Sequence, residues 1–268
     1  MGELHTTSED GTPITAIDQG AGPVALLVVH PGGQDETAWD AVAALLAEDF
    51  RVVRIRRRIY AGGGAAARAG PTVATEAADI LAVAGQIDGP VFLVGHSSGA
   101  VAALEAALRD PAAFTGLLAY EPPLPTSTLV GGEALGRARA ALDAGDPLEA
   151  MRIHLRDIVL IPAPMVDAIL RDPQGQAQLL ASAEAQIVDD EALDALGVGC
   201  ERFAALGLPT TLLQGDQSPD HLLDRTADLA AVLPDARVVT LPGQGHVANL
   251  MAPHLLAAEI RAAATRGE

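Results

Sequence analysis

The chain is poor in the residues that mark several common classes of protein. Cys200 is the only cysteine among 268 residues, so no intrachain disulfide is available. It sits in Gly-Val-Gly-Cys-Glu with an acid beside it, which is no setting for an activated thiol. Aromatic residues make up 3%, so any core is assembled mainly from Ala, Val, Leu and Ile. Basic residues number 17 against 35 acidic ones, a formal net charge of −18. That balance argues against binding to nucleic acid or to an anionic membrane surface. The longest apolar runs, Val24 to Val29 among them, are about six residues, far too short to span a bilayer. The first ten residues have neither a basic region nor an apolar stretch, so no signal peptide is expected and a cytoplasmic location is. No H-E-x-x-H or C-x-x-C spacing occurs, so neither a metal nor an organic cofactor is expected.

What is present is apolar residue, 49% of the chain, enough for one large domain or one domain with an insertion. The most informative stretch is Val91 to Leu104, which reads Val-Phe-Leu-Val-Gly-His-Ser-Ser-Gly-Ala-Val-Ala-Ala-Leu. An apolar strand runs into Gly95-His96-Ser97-Ser98-Gly99 and out into helix formers. A sharp strand-to-helix turn lifts one serine hydroxyl above the edge of a sheet, and it leaves no room for side chains at Gly95 and Gly99. The alternative role for Ser97 is a plain helix cap.

The flanking sequence alternates. Strands are expected at Ile14–Ile17 (an edge strand), Val24–Val29, Arg51–Ile55, Val91–Val94 and Leu117–Tyr120. Helices are expected at Thr37–Leu46, Thr72–Ile87 and Ser98–Leu108. Strands that alternate with helices in this way imply a parallel sheet covered on both faces. From Gly131 to about Leu206 only helical patterns occur, with candidates at Glu133–Leu142, Pro147–Val159, Pro164–Leu170 and Gln176–Ile187. The strand–helix alternation then resumes with Pro209–Leu213, Leu222–Val232, Ala236–Leu241 and Pro253–Ala264. Residues 1–124 and 207–268 are therefore assigned to an α/β core, and residues 125–206 to an all-helical cap or lid. Gly62 to Ala67 reads as a flexible loop.

Ligands of open α/β sheets sit at the carboxyl ends of the strands, so the residues just past each strand are the candidates. His30-Pro31-Gly32-Gly33 lets backbone approach a substrate closely, and Gly32 N–H with Ser98 N–H forms a candidate oxyanion hole. His246, in a glycine-rich loop after the last strand, is the candidate general base. Its acid partner is either Glu121, after Leu117–Tyr120, or Asp216, after Pro209–Leu213; both preserve the chain order serine, acid, histidine. Gly33, His96 and Tyr120 are expected to border the substrate, with His96 also shaping the turn. His30 is expected to pack beneath the oxyanion loop, and His154, His221 and His254 to lie on helix surfaces. Arg56, Arg57 and Arg58 are read as offsetting the acidic surface, with binding of an acidic substrate or partner as the alternative.

Taken together, the Gly95–Gly99 pentapeptide, His30-Pro31-Gly32-Gly33, the late His246 and the helical insertion resemble the α/β-hydrolase superfamily over nearly the whole chain. The resemblance implies a doubly wound, mostly parallel eight-stranded sheet with an all-helical cap inserted after strand six. It also implies Ser97 as nucleophile, His246 as base, and Gly32 with Ser98 as oxyanion donors. Two departures stand out. The family's common acid position, three residues past the glycine that ends strand seven, is Ser218 here. Some members place the acid at the end of strand six, where Glu121 stands, so Glu121 is preferred over Asp216. The Asp-x-Arg-Gly loop common after strand four is replaced by Arg56-Arg57-Arg58-Ile59. The function implied is a serine hydrolase that cleaves a carboxylic ester, thioester or lactone of a small apolar substrate through an acyl-enzyme. Its partners are a small-molecule substrate and, by default, a second copy in a homodimer. The alternatives are a lyase, cyclase or acyltransferase on the same triad, or a non-catalytic ligand-binding protein on a hydrolase scaffold.

Overall fold

The computed structural model describes residues 1–61 and 70–266, and the Gly62–Ala67 patch lies outside them. Eight strands form one sheet: β1 (Gly2–Thr7), β2 (Pro13–Gln19), β3 (Ala25–Val29), β4 (Arg51–Ile55), β5 (Val91–His96), β6 (Gly116–Tyr120), β7 (Thr210–Gly215) and β8 (Ala236–Leu241). Their order is β1-β2-β4-β3-β5-β6-β7-β8. β2 runs antiparallel to both β1 and β4, and β4, β3, β5, β6, β7 and β8 are parallel throughout.

The central strands β3, β5 and β6 are buried at every position because both faces of the sheet are covered. In β3, Ala25, Leu27 and Val29 pack with α2 (Val73–Ala84) and α3 (Ser98–Arg109). Leu26 and Val28 point the other way, onto Trp39, α1 (Asp40–Leu46) and the closing helix at Pro253–Ala264. Each fully buried Leu or Val contributes roughly 1.5–3 kcal/mol, which offsets the scarcity of aromatic residues. Thr72 opens α2 with a reciprocal cap shared with Thr75.

Between β6 and β7 the described chain is entirely helical: α4 (Gly132–Asp143), α5 (Pro147–Ile153), a π-helical turn at His154–Ile158, α6 (Ala163–Arg171), α7 (Pro173–Asp194) and a short turn at Glu201–Ala205. α4 starts at a glycine with no cap of its own. Asp194, at the end of α7, supplies the cap by accepting the N–H groups of Val130, Gly131 and Gly132. Arg225, on α8 (Asp220–Val232), donates to the carbonyls of Leu124, Thr128 and Leu129 and so ties the start of this segment to the core.

The structure corrects two expectations. The strand at Ile14–Ile17 extends over Pro13–Gln19 and is not the edge, because β1 pairs outside it from Gly2 to Thr7. That strand is half exposed and carries one core side chain, Leu4, so it has little hydrophobic signature. α7 continues seven residues past its expected end at Ile187, through a buried Asp189 and Asp190. Among the described residues no helix is long and apolar enough to cross a membrane.

Candidate active site

Parallel strands place all their carboxyl ends on one edge of the sheet, and the candidate residues meet there. β5 ends at His96, and Ser97 adopts φ 54° and ψ −129° before α3 begins. A non-glycine residue with positive φ is strained and persists only where its surroundings hold it. The surroundings here are tight. A Cβ on Gly95 would lie 2.5 Å from Ala100 Cα, and one on Gly99 would overlap the carbonyl of His30. Ser97 N–H is anchored on Tyr120 O at 2.9 Å.

Ser97 Oγ donates to His246 Nε2 at 3.0 Å, and His246 Nδ1–H donates to Glu121 Oε2 at 2.5 Å. Glu121 is fully buried at the end of β6, with a positive φ of its own. Its second oxygen accepts Gly215 N–H at 2.7 Å and Ser218 Oγ–H at 2.5 Å. These bonds aim the carboxylate at His246. Ser218, standing at the family's common acid position, bonds to Glu121. Asp216 is exposed and accepts Gly243 N–H at 2.8 Å, so it braces the loop that carries His246 without reaching the imidazole. Of the two carboxylates, Glu121 is the one that the structure brings to His246.

His96 donates from Nε2 to His246 O at 2.8 Å and stacks on Tyr120 at 4.5 Å between ring centroids. Burial, with His246 nearby, holds His96 well below the ordinary histidine pKa, so it is a neutral prop. Tyr120 is fully buried, donates to Gly245 O and accepts Ala248 N–H. It supports the His246 loop and does not border the cavity, contrary to the sequence expectation. Gly33 is likewise not in the lining. Gly32 is, and a Cβ there would meet Gln186 Oε1 at 2.8 Å and Tyr60 Oη at 2.9 Å.

His30 is buried as expected, donating to Pro31 O at 2.8 Å and accepting Arg57 N–H at 3.3 Å. Burial and the Arg57 charge push its pKa down to about 3. Within the arginine cluster Arg56 is partly exposed and pairs with Glu36 at 2.6 Å, but Arg57 is not the surface residue expected. Arg57 is buried, paired with Glu76 at 2.6 Å and Asp189 at 3.0 Å, and it donates to Ser98 Oγ at 2.8 Å. Burial opposes its charge, but Asp189 and Glu76 together hold its pKa above the ordinary value. Asp189 also accepts Ser98 Oγ–H at 2.6 Å and Tyr60 Oη–H at 2.7 Å. Burial raises the pKa of Glu76, while Arg57 pulls it the other way. Arg58 pairs with Asp79 and Asp10 near the rim.

A cavity of about 170 Å³ opens beside Ser97 and His246. The sheet edge contributes Pro31, Gly32, Gln34 and Ser98, and the helical segment contributes His154, Leu155, Ile158, Gln186, Asp190 and Leu193. His154 is buried and His221 lines the same cavity, so neither is the surface residue expected; His254 is exposed as expected. Sequence reasoning missed Asp189, Asp190 and Gln186. The available signal was Gln186 and Asp190, four residues apart, beside Ala183 and Ile187 on the buried stripe of α7. A larger groove, about 460 Å³, lies at the amino ends of the strands; its lining includes Phe92, Thr115, Arg237 and Arg266 but no serine, cysteine or histidine. Among the described residues no cluster of three or more His, Cys, Asp or Glu is placed to hold a metal.

The chain belongs to the alpha/beta hydrolase family, whose model matches residues 26–259. It is similar to an alpha/beta hydrolase from Sphaerobacter thermophilus DSM 20745, with 27% identity, a TM-score of 0.82 and coverage of 97% of this chain and 99% of that one. A thermophilic esterase from Thermogutta terrifontis shares the fold at 22% identity and a TM-score of 0.72, covering 98% and 97% of the two chains. So does the enol-lactonase from Burkholderia xenovorans LB400, at 18% identity and a TM-score of 0.71, covering 98% and 100%. No curated protein matches the sequence significantly.

Proposed function

We propose that the protein hydrolyses a small carboxylic ester, thioester or lactone through an acyl-enzyme. The observation that carries this reading is the unbroken chain from Ser97 Oγ to His246 to Glu121, at 3.0 Å and 2.5 Å, open to a cavity. In the first half-reaction His246 Nε2 takes the Ser97 proton as Oγ bonds to the acyl carbon. The carbonyl oxygen becomes an oxyanion, for which the N–H groups of Gly32 and Ser98 are the donors, each worth roughly 3 kcal/mol of barrier. Ser98 opens α3, where first-turn amides have no partner within the helix. The intermediate collapses, His246 hands its proton to the leaving oxygen or sulfur, and water repeats the sequence on the acyl-enzyme. Glu121 balances the imidazolium.

The volume of the cavity favours a small acyl or alcohol group. The helical segment acts as the cap, since it supplies one wall of that cavity and can exclude water from it.

The test is a fluorophosphonate probe followed by intact mass and peptide mapping. A single adduct on Ser97, lost in His246→Ala, is expected. A folded protein that takes no adduct and cleaves no ester would overturn the reading in favour of a binding protein on a hydrolase scaffold.

A further inference from the structure

A second histidine–carboxylate pair faces the same cavity from the opposite wall. His154 begins the π-helical turn that widens the end of α5, a device that re-aims side chains and recurs at functional sites. Its Nδ1 is 2.7 Å from Asp190 Oδ2, and Gln186 Nε2–H donates to the other carboxylate oxygen at 3.0 Å. Both members of the pair are buried, and both line the cavity. The proposed triad uses neither. Among the described residues nothing pairs with His154 Nε2, the one ring nitrogen left over. An apolar substrate would leave His154 Nε2 unsatisfied, at a cost.

The protonation of the pair follows from burial. A lone carboxylate in this wall would be an uncompensated charge, and the neighbouring Asp189 is already engaged with Arg57. Asp190 therefore keeps its proton and donates it to Nδ1, which leaves the ring hydrogen on Nε2. Burial raises the proton affinity of Asp190, while His154 lowers it, in keeping with one shared proton. His221 contrasts with this: burial, with Arg225 and His246 nearby, lowers its pKa and leaves it a neutral ring without a carboxylate behind it.

We infer that His154, held by Asp190, is a specificity-determining hydrogen-bond donor for a second oxygen of the substrate, a keto or carboxylate oxygen besides the scissile acyl group. The substrate class is thus an oxygenated small ester or lactone rather than a plain alkanoate. This inference rests on the hydrolase reading above and refines it.

Three p-nitrophenyl esters of equal chain length test it: the pentanoate, the 4-oxopentanoate and the hydrogen glutarate. The wild type is expected to favour at least one oxygenated ester over the pentanoate by about tenfold in kcat/KM, the worth of one hydrogen bond. The favoured one tells keto from carboxylate. His154→Phe is expected to bring that ratio to about one, and His154→Gln, which restores an N–H, to recover part of it. A wild-type ratio of one for both esters, a ratio that survives His154→Phe, or an equal loss on all three esters overturns the assignment. If no ester is cleaved and Ser97 takes no fluorophosphonate, the hydrolase reading has failed, and histidine side-chain NMR then reads the subsite directly. A His154 shift with 4-oxopentanoate or glutarate but not with pentanoate supports it; identical responses overturn it.

Discussion

Ser98 Oγ donates to Asp189 Oδ2 at 2.6 Å, joining the residue after the proposed nucleophile to a helix 91 positions further along the chain. Arg57 bonds both members of this pair, so the segment after β4, the serine turn and α7 share one buried charge centre. The helical segment is thereby tied to the core at the point where an oxyanion would form.

Asp189→Ala leaves Arg57 with one buried carboxylate, Ser98 Oγ–H with no acceptor and Tyr60 with only its longer bond to Gln186 Oε1 at 3.4 Å. Breaking a buried pair in this way costs about 3–5 kcal/mol. The urea midpoint of unfolding is expected to fall accordingly, and Asp189→Asn, which keeps the acceptor oxygen, to fall less. Equal midpoints for wild type and Asp189→Ala would show that the network contributes nothing to stability.

Glu121→Gln and Asp216→Asn separate the two carboxylates. The first removes the charge that sets the His246 tautomer and is expected to lower kcat by roughly 10³–10⁴-fold. The second alters an exposed loop brace and is expected to change kcat by about twofold or less. Steady-state kinetics on an activated ester decides, and the reverse ranking would move the acid to strand β7.

Stability is expected to fall as pH drops below neutrality. His30 is held neutral when folded, with a pKa of about 3, but in the unfolded chain it takes up a proton near pH 6.5. Between these values the unfolded state binds more protons, so the stabilisation is complete above about pH 6.5 and is lost as pH falls toward 3. His96 and His221 are shifted the same way. The raised pKa values of Glu76 and Asp190 act in the opposite direction. Urea titrations at pH 7 and pH 5 read the slope. In His30→Asn, which cannot be protonated, the slope is expected to shrink by about one proton per molecule; an unchanged slope would remove His30 from the account.

Asp194→Ala removes the cap of α4, leaving three N–H groups without their acceptor. A loss of about 1–2 kcal/mol is expected, seen as a lower thermal midpoint, with Asp194→Asn in between. No change on either substitution would show that water serves those amides equally well.

Much of this molecule is set locally. The apolar run Val24–Val29 reads as a doubly covered strand because nothing polar interrupts it. The glycines around Ser97 read as a turn because only glycine fits so close to backbone. These are properties of a few adjacent residues, so the sheet, the serine turn and the position of His246 are legible in sequence. Edge strand β1 is not, since it is held by backbone pairing to β2 and its side chains carry almost no apolar pattern. Residue order alone does not choose between Glu121 and Asp216, because both follow strands in the right order; only the resemblance favours Glu121. Only the closeness of parallel β6 and β7 places Gly215 N–H and Ser218 behind Glu121 and turns it onto His246. Arg57, Asp189, His154 and Asp190 look like solvated charges in sequence, the usual state of such residues. They are buried because α5 and α7 fold back over the sheet edge, and a buried charge must find a partner there; which partner it finds is decided by tertiary structure alone.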